Sequence, residues 1–332
     1  MTQSFYLYDI SDGAAARISL AFNCILTTGF GIIGVLGNIL NIIILPQHGF
    51  KESSNIILIS LSFSDLLVSL VLCLNKSYFI VDLYDHMTSL TMFAIYFVYF
   101  AYILQVTIVM GILHITLISI ERFVAVWFPF HASRIFTARN VFVVIFLLYL
   151  INIVGYFPGN FFYYIKWLKY KNGNSTYAVV YYLPFYLKNA DILNYYTFIF
   201  GNLIYIPLIL LVVFTALIIL KLIKAREKVK RMTQAAPDSM KSRDKKVFRL
   251  LLTVCIVAIS VYISTSGLEI YLWMTAEGLA QTRKFRDVLV AVDYLLYQIG
   301  ASVNFFIYVT MSSKFAKSYR KLILRNKSDK KI

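Results

Sequence analysis

The chain has 332 residues, of which 60% are hydrophobic, 17% aromatic and only 14% charged, and its mean hydropathy is +0.73. A soluble domain carries about 25% charged and about 45–50% apolar residues, so this composition excludes a soluble enzyme, a disordered chain and a disulfide scaffold. What remains is a polytopic membrane protein. Its 32 Lys and Arg against 16 Asp and Glu give a net charge of +16, read as loop charge facing anionic headgroups rather than as a nucleic-acid surface. Cys24, Cys73 and Cys255 all lie in apolar stretches, where cysteine behaves as a small hydrophobe. The amino terminus, MTQSFYLYDISDGAAAR, holds acids and no basic n-region, so it does not read as a cleavable leader.

A crossing helix needs about 20 apolar residues. Five stretches are free of Asp, Glu, Lys and Arg: Ile18–Phe50, Met87–Ile120, Asn140–Ile165, Ile192–Leu220 and Leu250–Leu268. Two more hold a single acid each: Asn55–Asn75 contains Asp65 and Val288–Ser313 contains Asp293. None shows the alternation of a barrel strand. Seven spans put the two termini on opposite sides. The connections after spans one, three and five, with the tail, hold 23 basic residues, and the other connections with the amino terminus hold nine. The positive-inside rule therefore places the amino terminus outside and the carboxyl terminus in the cytoplasm. In KFAKSYRKLILR, Phe315, Tyr319 and Leu322 share one face, with Lys317, Arg320, Lys321 and Arg325 off that stripe. This predicts an amphipathic helix in the membrane interface. The expected architecture is an all-α membrane protein: an extracellular terminus over 1–17, a seven-helix bundle over 18–313, and an amphipathic helix with a basic tail over 314–332.

Catalytic and cofactor signals are weighed and set aside. Gly29-Phe30-Gly31-Ile32-Ile33-Gly34 matches GxGxxG, but it sits inside an uncharged span, where small residues serve close helix packing. No P-loop or HExxH occurs, and His48, His86, His114 and His131 lack metal-ligand spacing. His114, in mid-span, reads as a hydrogen-bonded packing residue. No enzyme activity, metal or cofactor is expected. The polar residues inside spans carry more information, because each is costly unless paired or hydrated. They are Asn38 and Asn41 in GNILN, Asp65 in LSFSD and Asn304 in NFFIY. Glu121-Arg122-Phe123 ends span three; alone, that pair reads as a snorkelling anchor.

Taken in order along the chain, these motifs resemble those of the rhodopsin-like (class A) G protein-coupled receptors, from about Gly34 to Phe315. GNILN is similar to the first-span motif and LSFSDLL to the second. SIERFVAVWFPF resembles the third-span D/E-R-Y motif, with Phe123 in place of Tyr. Pro207 matches the fifth-span proline, and NFFIY with Tyr308 resembles NPxxY. ERFVAVWFPFHASRIFT looks most like invertebrate peptide-type and chemosensory receptors. The resemblance implies a receptor that couples an extracellular ligand, a peptide or small molecule, to a heterotrimeric G protein. It implies a switch formed by Glu121, Arg122, Phe123, Asp244, Tyr262, Asn304 and Tyr308, and a polar core of Asn38, Asp65 and Asn304. The alternative is a transporter or channel, against which stand the lack of a repeat and of several midplane acids.

The departures from the family are specific. Phe97 stands where the family has its outer third-span Cys, and Lys166–Asp191 holds no Cys, so the loop must be fixed without that disulfide and a looser outer pocket is expected. CWxP appears as Val261-Tyr262-Ile263-Ser264, the NPxxY proline is Phe305, the fifth-span Tyr is Thr215, and the fourth-span Trp is missing. Gly111 and Gly300 replace polar residues of the family's sodium cluster, so weak sodium binding is expected. Leu104 stands at the amine-binding Asp position. Gln298 stands at the retinal Lys position, and without a lysine in Val288–Ser313 a retinal Schiff base is excluded. The ligand-binding candidates are Asn75, Lys76, Leu104, Gln105, Glu269, Asp293, Tyr294 and Gln298. The two acids could meet a basic ligand group, or instead pair with Lys76 or the Arg283–Arg286 cluster. Asn174-Ser175-Thr176 is a glycosylation sequon in an outer loop.

Overall fold

The computed structural model describes residues 12–50, 52–169, 176–232, 242–274 and 283–328. Among these, seven helices are long and apolar enough to cross a membrane: Ala21–Gln47, Ser53–Val81, Ala101–Trp127, Ala138–Phe161, Ala190–Lys224, Phe248–Leu272 and Phe285–Met311. They are called spans one to seven below. Burial sorts them: 72% of the apolar window of span three is inside the bundle, against 22% for spans four and five. Span three is the central column and spans four and five lie at the rim.

Local chemistry explains the ends and breaks. Span one opens with a π-helical stretch, Ala21–Thr27, and ends at Gly49, whose φ of 90° suits glycine. Asn55 of span two donates to the carbonyl of Leu45 at 2.9 Å and to that of Gly49, meeting acceptors left open by the helix end. Asp85 caps the helix His86–Tyr99 that leads into span three, accepting from the amides of Met87 and Thr88. Span five turns at Leu203 and Ile204 before Tyr205–Met232 begins. Pro207 explains this, since its ring clashes with the carbonyl four residues earlier.

One boundary departs from expectation. The charge-free stretch to Ile165 is not helical throughout: the helix Ala138–Tyr156 passes into a 3-10 turn, Phe157–Phe161, and then into strand β1, Tyr163–Lys169. Freedom from charge marks what lipid tolerates, whereas Pro158 and Gly159 stop the helix. Strand β1 pairs antiparallel with β2, Thr176–Tyr182. The resulting hairpin is tied to the helix His86–Tyr99 without a disulfide. The amide of Ala178 donates to Thr91 Oγ1 at 3.1 Å, and Phe97 packs edge-on against Tyr163 with ring centroids 4.9 Å apart. All three cysteines are free.

Two of the three glycines of GFGIIG, Gly31 and Gly34, serve close packing, whereas Gly29 faces open space. A Cβ on Gly31 would overlap Cys73 Sγ, and one on Gly34 would overlap Ser69 Oγ, so spans one and two meet nearly backbone to side chain. The largest apolar cluster joins Ile44, Ile57, Leu61, Ile118, Leu211 and Leu251 to Tyr308 and Phe315. Phe315 belongs to the terminal helix, Ser313–Ser328, which is thereby docked on the bundle through its apolar stripe. Tyr319 of the same stripe meets Phe305 at 5.8 Å.

Candidate functional site

At one end of span three, Glu121 is only 5% exposed. Both of its oxygens accept from Ser54 Oγ at 2.9 Å, and Ser53 donates to it as well. Arg122 lies 3.3 Å from Glu121 and also donates to Ser54. Acid and guanidinium are therefore clasped together by the first turn of span two. Arg122 Nε is buried without a partner among the described residues. Phe123 faces span five, with its ring 4.8 Å from that of Phe214. Ser119 bonds Thr215 at 3.2 Å, and Lys221 sits 4.6 Å above the ring of Trp127, so spans three and five are tied beside the clasp. The side chain of Asp244 lies outside the described residues.

In the middle of the bundle, Asn304 Nδ2 donates to Asp65 at 2.7 Å. Asn38 donates to the carbonyl of Ala301 at 2.8 Å, and Asn41 to Asn38 at 3.3 Å. Spans one, two and seven are thus joined by polar side chains away from water. A cavity of about 30 Å³ adjoins Asp65, lined by Gly111, Tyr262, Gly300 and Asn304 among others. It has room for one or two waters, at about 15 Å³ each by the same measure. The cavity is a poor fit for sodium, since a hard cation takes a shell of oxygens. Asp65 offers a carboxylate, but Asn304 turns its NH2 towards it, Thr107 bonds its own helix, and two lining positions are glycine. The Tyr262 hydroxyl donates to the carbonyl of Ile108 at 3.2 Å. Tyr308 is buried against Phe315 with its hydroxyl unpartnered.

Of two further polar contacts, the first agrees with the reading of His114 as a hydrogen-bonded packing residue, and the second was not anticipated. His114 meets Ser60 Oγ at 2.7 Å, and Ser64 meets the Tyr149 hydroxyl at 2.8 Å, tying spans two, three and four. Only the mid-span position of His114 signalled the first.

At the opposite end, the one that carries the hairpin, the Tyr297 hydroxyl donates to Glu269 at 2.9 Å. Asp293 is 9% exposed, and its Oδ1 has no partner among the described residues. The two acids lie near enough to feel each other's charge, and Tyr156 and Tyr205 lie within the field of Glu269. Lys76 Nζ sits 4.1 Å above the ring of Tyr294. The ion pairs among the described residues are His86–Asp82 and Arg122–Glu121, so neither acid has closed onto Lys76. Asn75 is half-buried and Gln105 is exposed near Tyr156. Leu104 is packed among Val68, Tyr96, Ile108 and Tyr297. Gln298 is fully buried and bonds Ser69 at 3.0 Å, so it ties spans two and seven. Asn174 lies outside the described residues.

A clasped Arg at one end, an Asp–Asn core and an acid pair at the other lie on one seven-helix bundle. The family model described as 7 transmembrane receptor (rhodopsin family) matches residues 37–308. The chain belongs to the rhodopsin family of seven-transmembrane receptors. The receptor is 26% identical over 301 residues to neuromedin-U receptor 2 of Mus musculus, covering 88% of this chain and 72% of that one. It is 25% identical over 317 residues to the G-protein coupled receptor homolog Q2/3L of Sheeppox virus (strain KS-1), covering 89% and 74%. The human neuromedin-U receptor 2 is 25% identical over 301 residues, covering 88% of this chain and 69% of that one. These relatives are mammalian and viral, so the likeness to invertebrate receptors is not specific. Membership of the family also sets aside the transporter or channel reading.

Proposed function

We propose that the receptor binds an extracellular peptide bearing a basic group and passes the signal to a heterotrimeric G protein at the Arg122 end. It acts by conformational change, without chemistry or a cofactor, in the plasma membrane. The hairpin end faces outside and the Arg122 end the cytoplasm. The bias of 23 basic residues against nine supports this orientation, and Asn174 is then open to glycosylation.

The observation that carries the ligand class is the pair Glu269 and Asp293. Asp293 is buried and Glu269, exposed beside it, adds a second negative charge, with no cation ion-paired to either among the described residues. Holding a buried carboxylate next to a second negative charge is costly, and an incoming guanidinium relieves it with charge-assisted bonds to both. Tyr156, Tyr205, Tyr294 and Tyr297 around the acids suit a cation and an aromatic or aliphatic neighbour. Relatives named as receptors for neuromedin U favour a peptide over a chemosensory cue. At the other end, release of Arg122 from Ser54 and Glu121 frees a guanidinium for the G protein. A ligand that prefers the released packing shifts the population towards it.

The test is G protein activation in cells expressing the receptor and challenged with Arg-containing peptides. Glu269→Gln and Asp293→Asn should each weaken the response at least tenfold. A panel of such peptides that evokes nothing, or responses indifferent to both acids, would sink the reading.

A further inference from the structure

We infer that Lys76 forms an anion-accepting subsite beside the acid pair, so that the activating ligand carries a carboxylate as well as a cationic group. This inference rests on the reading that the hairpin end takes the ligand.

Lys76 ends the helix Ser53–Lys76 and is only 5% exposed. Its ammonium is faced by Tyr294 at 4.1 Å and Phe79 at 5.8 Å, and by no ion-paired carboxylate among the described residues. The rings replace part of its lost hydration, but they are not a counter-ion, and an uncompensated charge in a membrane bundle marks a functional position. Asp287 does not fill the role: it is exposed and lies near Tyr78. The π-helical stretch Ala21–Thr27 borders the same place, bringing Cys24 close to Lys76. Such widened turns often occur at functional sites.

Tyr294 and Asp293 are consecutive on span seven, and successive residues on a helix point about 100° apart. One flank of span seven thus presents Tyr294 to Lys76, and another presents Asp293 to Glu269. Anion and cation subsites lie on adjacent flanks of one helix, and 100° around a cylinder of about 5–6 Å radius sets them about 8–9 Å apart. An extended chain covers that in about three residues. A peptide with Arg within about three residues of its terminal carboxylate meets both.

The test uses N-acetylated tetrapeptide pools with Arg fixed at each position in turn, made both as free acids and as amides. They are applied to cells expressing the full-length receptor with a G protein readout. The acid pools should be at least tenfold more potent than the amide pools. Lys76→Met should erase that preference and Lys76→Arg should keep it, with surface expression measured for both. The comparison of acid and amide on the unaltered receptor needs no variant, so misfolding of Lys76→Met leaves the inference exposed. Equal potency of the two pools, with both lost in Asp293→Asn, overturns the Lys76 subsite and leaves the acid-pair reading standing. A preference that survives Lys76→Met also overturns it. So does restoration of amide potency by added inorganic phosphate, which would mean a free anion rather than a ligand carboxylate. Silence of every pool overturns both readings.

Discussion

Gly111 of span three and Tyr262 of span six share one space. A Cβ on Gly111 would lie 2.7 Å from the Tyr262 hydroxyl, which itself bonds the carbonyl of Ile108, one turn away on span three. The hydroxyl is therefore a latch between spans three and six, and glycine is what admits it. Gly111→Ala should overpack this contact at a cost of about 1–3 kcal/mol to the latched packing. Basal signalling should rise by about fivefold to about a hundredfold, since 1.4 kcal/mol is a factor of ten. Tyr262→Phe should raise it less, by the loss of one hydrogen bond of about 1 kcal/mol. Because phenylalanine lacks the clashing oxygen, the double variant should fall short of the sum. Ligand-independent G protein activation in matched surface expression checks all three.

A second prediction concerns Asp65 and Asn304, bonded at 2.7 Å beside a cavity poor in oxygen donors. Asp65→Asn should impair activation, because the carboxylate joins spans two and seven. Sodium should stabilise the unaltered receptor no more than potassium does, since an ion that does not bind adds nothing to the folded state. Thermal unfolding of purified receptor in the two salts measures this. A sodium-specific rise that Asp65→Asn removes would refute it.

The hairpin is held by Thr91 and by the Phe97–Tyr163 ring pair instead of a disulfide. Reducing agents should leave ligand potency unchanged. Phe97→Ala should weaken it by about two- to tenfold, the worth of an aromatic pair at about 0.5–1.5 kcal/mol. Thr91→Val, which removes the hydroxyl at nearly constant volume, should give a smaller loss in the same direction. Dose–response curves with and without reductant decide the matter.

The clasp at Ser54 yields a further prediction. Its hydroxyl serves both Glu121 and Arg122, and hydrogen bonds to charged groups contribute about 1.5–3 kcal/mol. Ser54→Ala should therefore raise basal signalling by about tenfold. Arg122→Ala should abolish coupling while leaving surface expression intact. If Arg122→Ala signals at the level of the unaltered receptor, the guanidinium is not the output of the switch.

The sequence by itself determined that this chain crosses a membrane seven times, because bilayer thickness and the cost of charge in lipid act on each segment alone. It also singled out Asp65, Asn304 and Arg122, which stand out against apolar neighbours whatever they touch. It did not determine their partners. Ser54 and Glu121 are 67 positions apart, and Gln298 and Ser69 are 229 apart; no periodicity relates them. Nor did absence of charge distinguish helix from strand, so the start of β1 was concealed in a charge-free stretch whose α-helix ends at Tyr156. Partner choice depends on how each helix rotates and slides against the others. That is set by side-chain volume at contacts such as Gly31 against Cys73 and Gly111 against Tyr262. Those contacts exist only once all seven helices are packed, so the clasp, the latch and the unpaired lysine were decided by the tertiary structure alone.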